Sequence, residues 1–336
     1  MASNLLRIHT KTIRTPNPAT PFSLTKTLSS PSLQFPTHHH SQLSTLLNKS
    51  KTPSLSPLLC SQLSSPTPPN SKEAAIQQAK TCLSTTLEKP LNNLRLTSKL
   101  KKLKQPRFRI EIPVADDSPE SLSQLALQFF RDLPIKRKGS PVNTVILWPD
   151  ITSTESALKA FKSSPSSQVE HLDIPSVANG NTRISNNADV VVFLAPEPSQ
   201  VAVMKTVVDL LYPRPVVIFN PKWGFEEEAE FGELSGFVGS FEVIFSFMGL
   251  EVKGLLSKRN GVIFKCVRNG VVSGKKWAVL VEEEQGELKV VSTFKSRPSI
   301  AEVEYVLYNL MAMNSPVTKS VKFFKDLVSN VTGKKG

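Results

Sequence analysis

The chain has 336 residues, with 41 Lys or Arg against 28 Asp or Glu and a net charge of +13, a length that suits one large domain or two modest ones with tails. The charge is one-sided. Residues 1–72 carry Arg7, Lys11, Arg14, Lys26, Lys49, Lys51 and Lys72 with no acid, whereas basic and acidic residues nearly cancel from residue 106 on. A globular nucleic-acid binder carries its excess positive charge on the fold itself, so nucleic acid is not an expected partner. Three cysteines at unrelated spacings, Cys60, Cys82 and Cys266, include no CxxC and exclude a disulfide framework and a cysteine zinc site.

Residues 1–71 are dominated by Ser, Thr and Pro. Such a composition cannot bury enough apolar surface to offset backbone ordering, and it predicts a disordered segment. An acid-free, basic, Ser-rich N-terminus without a continuous apolar stretch is the pattern of an organelle transit peptide rather than a secretory signal. Leu58-Leu59-Cys60-Ser61 resembles a chloroplast processing site, so residues 1–60 are read as a transit peptide, and His38-His39-His40 would be removed with it.

Residues 61–105 are expected to form a helical, basic linker arm. A helix begins at Ser71, with Ala74, Ala75, Ile76, Ala79, Cys82, Leu83 and Leu87 at helical spacing and Pro90 as its stop. Next comes the densest positive charge in the chain, with Arg95, Lys99, Lys101, Lys102 and Lys104 around Leu96, Leu100 and Leu103. An amphipathic basic arm of this kind suits an anionic membrane surface or an acidic partner. The alternative is a solvated helix that packs its leucines on the domain. No run reaches the length of a membrane span, and the most apolar stretch, Phe237–Leu250, is interrupted by Glu242.

Residues 106–330 read as one α/β domain, followed by a disordered tail at 331–336. Strands are expected at Phe108–Val114, Val142–Trp148, Val169–Ile174, Val190–Ala195 and Val216–Asn220, and helices at 119–132, 153–163 and 198–211. Continuous apolar runs such as Val190–Ala195 imply strands covered on both faces. Ser118-Pro119, Thr152-Ser153 and Pro198 mark helix starts. The alternation predicts a mostly parallel, three-layer sheet. Beyond Asn220, runs at Phe241–Phe247, Gly261–Val267, Trp277–Glu282 and Leu288–Phe294 are separated by turn signals and predict an antiparallel hairpin extension. Two closing helices follow Arg297-Pro298-Ser299 and Ser315-Pro316.

No phosphate-binding loop, dinucleotide fingerprint, nucleophile elbow or HExxH is present, so no cofactor and no catalytic set is assigned. His171 is the sole histidine after the transit segment, and its place in an alternating strand favours a partly buried or edge-strand role. Cys266 alternates with apolar neighbours as a core thiol, and nothing in the pattern pairs it with Cys82. Ligands of open α/β sheets bind beyond the carboxyl ends of the strands. Those ends supply Asp116, Asp117, Trp148, Asp150, Asn220, Lys222 and Trp223. Two readings stay open for them. Acids with Lys222 or Asn220 could hold Mg²⁺ and a phosphate, making a small-molecule or phosphate-handling enzyme. Equally, Asp117-Ser118-Pro119 and Asp150–Thr152 are helix-capping chemistry. Trp148 and Trp223 could line a shallow pigment or lipid pocket, or fill core.

Arg107–Val114, Leu147-Trp148-Pro149-Asp150, Asp189–Pro196, Phe219-Asn220-Pro221-Lys222-Trp223, Phe241–Phe247, Trp277–Leu280 and Lys295–Ser299 occur in that order. Together they resemble the plant and cyanobacterial domain-of-unknown-function family that includes the chloroplast low-PSII-accumulation protein three. The resemblance spans about residues 106–330. It implies a non-enzymatic chloroplast protein, stromal or thylakoid-associated, that assists biogenesis of photosystem II core subunits such as CP43 through contact with them or with other assembly factors. In some plant proteins a similar domain is fused to an adenylate kinase. This chain has no phosphate-binding loop, so that activity is not expected here.

Overall fold

Alternation along each strand divides the chain's apolar residues between the two faces of one sheet. The computed structural model describes residues 67–92, 104–114, 116–162, 168–253, 258–283 and 287–313. Residues 1–60, read above as a transit peptide, the arm residues Arg95, Lys99, Lys101 and Lys102, the helix expected after Ser315-Pro316 and the tail 331–336 lie outside the described residues; Lys104 is exposed.

In chain order the elements are α1 (Lys72–Asn92), β1 (Arg107–Glu111), α2 (Pro119–Phe130), β2 (Lys136–Arg137), β3 (Ser140–Pro141), β4 (Thr144–Trp148), α3 (Ile151–Phe161), β5 (Val169–Asp173), α4 (Ile174–Ala178) and β6 (Val190–Leu194). There follow a 3-10 turn at Pro198–Gln200, α5 (Val201–Leu210), β7 (Val216–Phe219), a kinked 3-10 segment at Glu226–Leu234, α6 (Ser235–Val238), β8 (Glu242–Lys253), β9 (Lys258–Cys266), β10 (Trp277–Glu282), β11 (Leu288–Phe294) and α7 (Ile300–Met313). Nine strands form one sheet in the order β11-β10-β9-β8-β1-β7-β6-β4-β5. From β8 to β5 all neighbours are parallel, while β9, β10 and β11 continue from β8 as antiparallel hairpins. The expected mixed α/β sheet with an antiparallel C-terminal extension is therefore the fold of the chain.

One face is a continuous apolar layer. Ile110, Ile146, Val192, Phe219, Phe245, Phe264 and Leu280 face α1, α2 and α3, whose Leu83, Phe129 and Ala157 complete the cluster. Phe129 packs edge-on against Phe130 and Phe219, with centroids 4.8 and 4.9 Å apart. The other face holds two separate clusters. Val145, Phe193 and Ile218 meet Met204 and Val208 of α5 and the segment around Trp223 and Phe237. Ile263, Trp277, Val279 and Val281 meet Val303 and Leu307 of α7.

Three expectations are corrected. Helix α1 belongs to the fold rather than to a linker arm, because Ala75, Ile76, Ala79, Cys82, Leu83, Leu87 and Leu91 are all buried in the continuous layer. Pro90 does not stop that helix, which runs on to Asn92. A proline in the last turn forfeits one backbone hydrogen bond, while Leu91 gains burial. The Asn92 amide donates to the carbonyls of Glu88 (3.0 Å) and Lys136 (3.1 Å), and its Oδ1 accepts from Lys138 N. Strand β8 extends six residues past Phe247, because β9 pairs with it from Phe245 to Lys253.

The loop between β9 and β10 returns to α1. Gly270 has φ of +67°, and a Cβ there would lie 2.3 Å from the Thr85 carbonyl oxygen, whereas at Gly274 (φ +77°) the same atom meets open space. Gly274→Ala is expected to cost only the left-handed backbone penalty, about 1 kcal/mol. Gly270→Ala adds a collision with helix backbone and is expected to cost more than about 2 kcal/mol, read as a lower urea midpoint at unchanged slope.

Candidate functional site

Strands β4 and β6 are neighbours, yet the chain leaves their carboxyl ends for opposite faces, to α3 in the continuous layer and to α5 across the sheet. This switch point is where open α/β sheets place their crevice. Beside it, β6 and β7 each end in a left-handed residue followed by proline, Ala195 (φ +48°) and Asn220 (φ +49°), a backbone cost of about 1–2 kcal/mol at Ala195.

The polar groups at this end are tied to the protein itself. Asp150 caps α3, accepting from Ser153 N (2.7 Å) and Ser153 Oγ (3.1 Å). Asp116 accepts from Ser118 N (2.9 Å), Ser118 Oγ (2.6 Å) and Ser121 Oγ (2.8 Å), which together hold its carboxyl below the usual carboxylate range. Asp117 is exposed beside it. Asn220 Oδ1 accepts from Ile112 N (2.7 Å) and its Nδ2 donates to Ile112 O (2.9 Å), so an amide side chain continues the β1–β7 ladder past the last strand residue. Lys222 Nζ donates to Glu197 Oε1 (3.1 Å), and Gln200 Nε2 reaches across the switch point to Pro149 O (2.7 Å). Among the described residues no group of three or more His, Cys, Asp or Glu could hold a metal ion. The structure thus brings Asp150, Glu197 and Lys222 to one end of the sheet and commits each to a partner there.

Trp148 is fully buried and not at a pocket mouth. Its Nε1 donates to His171 Nδ1 across the β4–β5 pair (3.1 Å), and the Phe161 ring closes on the imidazole edge at 4.4 Å. His171 is buried on the edge strand β5, and its Nε2 finds no acceptor among the described residues. Burial in this apolar setting pushes its pKa down to about 4.

A second polar centre lies in the seam between the two apolar clusters of the opposite face. The strand β1 reads Arg-Phe-Arg-Ile-Glu, and alternation sends Arg107, Arg109 and Glu111 to that face. Glu111 accepts from Ser246 Oγ (2.6 Å) and from Arg297 (2.9 Å). Arg109 Nε lies 2.8 Å from Glu111 Oε1 but off the hydrogen-bond direction, so that contact is Coulombic. Its NH1 pairs with Glu228 of the 3-10 segment. Aromatic rings enclose the cations: Trp223 lies 6.0 Å from Arg109, and Phe225 and Trp277 lie 4.8 and 5.2 Å from Arg297. Trp223 is therefore a buried wall of this cluster, stacked edge-on against Phe231. Burial alone would raise the Glu111 pKa, but the adjacent Arg297 and Arg109, with Ser246, outweigh it and hold it at about 2.

Sequence reasoning named Trp223 but missed Glu111, Ser246, Glu228 and Arg297 as its company. The available signal was the alternation of charge with apolar residues in β1, the first strand of a sheet whose β4, β6 and β7 are almost wholly apolar, because buried charges require partners from elsewhere in the chain.

Two outcomes follow from these environments. Glu111→Ala leaves Arg109 and Arg297 buried without their shared anion, and is expected to lower stability by about 3–5 kcal/mol, measured by denaturant unfolding at pH 7. His171 stays neutral in the fold while the unfolded chain protonates it near the ordinary value. Stability is therefore full above about pH 6.5 and falls as pH drops towards 4, by about 3 kcal/mol in total from this group. His171→Gln keeps an acceptor for Trp148 and is expected to remove that part of the pH dependence, seen by comparing urea midpoints at pH 7 and pH 5.

No curated protein matches the chain. Among solved structures, the crystal structure of flagellar accessory protein FlaH from Methanocaldococcus jannaschii is similar over 55% of this chain and 90% of its own, at 10% identity and a TM-score of 0.24, a likeness that carries no argument. A family match is extensive by contrast. It begins at residue 69, just ahead of α1, and runs to residue 305 within α7, taking in the whole sheet with both polar centres. This chain belongs to the family described as Domain of unknown function (DUF1995).

Proposed function

We propose that this chain is a non-enzymatic chloroplast protein that assists the biogenesis of photosystem II core subunits, CP43 among them, by protein–protein contact. The observation that carries the reading is an outward aromatic face on α7. Val303 and Leu307 turn inward onto β10 and β9, while Tyr305 and Tyr308 stand 69% and 70% exposed on the opposite side of the helix. Tyrosine is enriched at the anchoring points of protein interfaces, because it presents a large rigid surface with one polar tip. Next to this helix, β11 pairs on one side only among the described residues, and its Val290 is half exposed. A strand edge beside exposed aromatics suits a polypeptide partner.

Three further features support this reading. The N-terminal composition resembles a chloroplast transit peptide. The ordered motifs from Arg107 to Ser299 resemble the family of the low-PSII-accumulation protein. Asp150 is engaged as a helix cap, Asp116 by Ser118 and Ser121, and Glu197 by Lys222. The basic residues Arg95, Lys99, Lys101, Lys102 and Lys104 would add peripheral contact with the anionic thylakoid surface. No helix of the described residues is long and apolar enough to cross a membrane.

The test is recovery of pulse-labelled membrane proteins on tagged chain from gently solubilised chloroplasts. Unassembled photosystem II core subunits are expected to be enriched over the mature complex. Tyr305→Ser with Tyr308→Ser is expected to lower that recovery about tenfold or more without changing the thermal midpoint, since neither ring is buried. Equal recovery of mature and unassembled subunits, or none of either, would sink the assembly reading.

A further inference from the structure

Helix α1 and strand β9 are far apart in the chain, but they place two cysteines against each other in the continuous apolar layer. Cys82 Sγ and Cys266 Sγ lie 3.4 Å apart, and both side chains are buried. The sequence spacing hid this pair, and the expectation of two unrelated thiols is corrected. A disulfide needs its sulfurs at about 2.05 Å, so the remaining gap is little more than an ångström, within reach of side-chain rotation.

We propose that Cys82 and Cys266 are a modification site, closing to an intramolecular disulfide that staples α1 to the sheet when the chain meets a small organic disulfide such as glutathione disulfide.

The surroundings assign the order of events. Cys266 is the better thiolate: either sulfur can donate to the other across the 3.4 Å contact, but Arg268 and Lys275 add positive charge beside Cys266. Cys82 holds its proton, because burial in an apolar setting disfavours its thiolate. The Cys266 thiolate attacks one sulfur of glutathione disulfide, and the first glutathione leaves. Cys82 then gives up its proton and attacks the Cys266 sulfur, forming the Cys82–Cys266 bond and expelling the second glutathione. Two protein thiols lose two electrons and two protons, and glutathione disulfide takes them up as two molecules of glutathione. Because both sulfurs are covered, the first attack waits for α1 or the loop at Gly270 to lift. The rate therefore reports that local opening.

The pair also explains part of what α1 contributes. In the reduced chain the helix is held by burial of Leu83 and Leu87 in the continuous apolar layer and by the close approach of Gly270, just beyond β9, to Thr85. The disulfide would convert that docking into a covalent tie across nearly the whole fold.

The experiment equilibrates the full chain in glutathione buffers of graded composition, both natively and after a brief exposure to sub-denaturing urea that opens α1. Acid quenching, alkylation and mass spectrometry follow. The expected result is loss of two hydrogens and a peptide pair linked through Cys82 and Cys266, reversed by dithiothreitol and unchanged in Cys60→Ser. The thermal midpoint of the oxidised chain is expected to rise by about 5–15 °C, and neither Cys82→Ala nor Cys266→Ala should show the link or the rise. Gly270→Ala, which loosens the loop, is expected to speed native oxidation severalfold. If both thiols remain alkylated at the most oxidising ratio even after the urea exposure, or if the link runs through Cys60, the proposal is overturned.

Discussion

Strand β1 lies between β7 and β8 and has to bury both of its faces, yet every residue it sends to one of them is charged. Phe108 and Ile110 satisfy the continuous apolar layer, while Arg109 and Glu111 enter the other side. Desolvating such groups is tolerable only when each charge is met by another. Glu111 answers Arg109 in the same strand, Ser246 from the adjacent β8 and Arg297 from beyond β11, and Glu228 closes Arg109 from the acidic 3-10 segment. The parallel half and the antiparallel half are thereby joined at one point. The acidic run Glu226–Glu228, which in sequence resembles a solvated turn, is held down there: Glu228 by Arg109, and Glu226 by the backbone N–H of Ile300.

The two faces consequently do different work. The layer under α1, α2 and α3 runs unbroken from Ile146 to Leu280, with the Trp148–His171 hydrogen bond at its β4–β5 edge. The opposite face is divided, and the charged seam sets where α7 sits relative to the segment around Trp223. Aromatic rings at Trp223, Phe225 and Trp277 line the seam because they can be apolar toward the clusters and present an electron-rich face to the guanidinium groups. Fixing α7 by its N-terminal end in this way leaves its outer face, with Tyr305 and Tyr308, exposed.

At the carboxyl ends of the strands, geometry decided between two meanings of the same residues. Asp116, Asp150 and Lys222 have the chemistry of a metal and phosphate site, and they also have the chemistry of caps and surface pairs. Distances of 2.6–3.1 Å to Ser118, Ser121, Ser153 and Glu197 show what occupies them. An aspartate that caps a helix is satisfied by backbone N–H groups its own segment provides, and nothing about it has to converge on a neighbouring strand.

The sequence by itself determined the local elements and the class of fold. Strands β10 and β11 begin and end where their alternation does, α2 starts at Ser118 as capping chemistry requires, and the turn glycine Gly270 marks a chain reversal, whereas α3 starts at its Asp150 cap, two residues ahead of the expected position. These depend on interactions within a few residues, which periodicity records. Tertiary structure alone decided that α1 is core rather than arm, that Trp148 bonds His171, that Arg109, Glu111, Glu228 and Arg297 share one site, and that Cys82 meets Cys266. Each of those joins side chains from separate elements. Such contacts are set by strand order and by which face an alternating residue enters, and a chain read one residue after another carries neither.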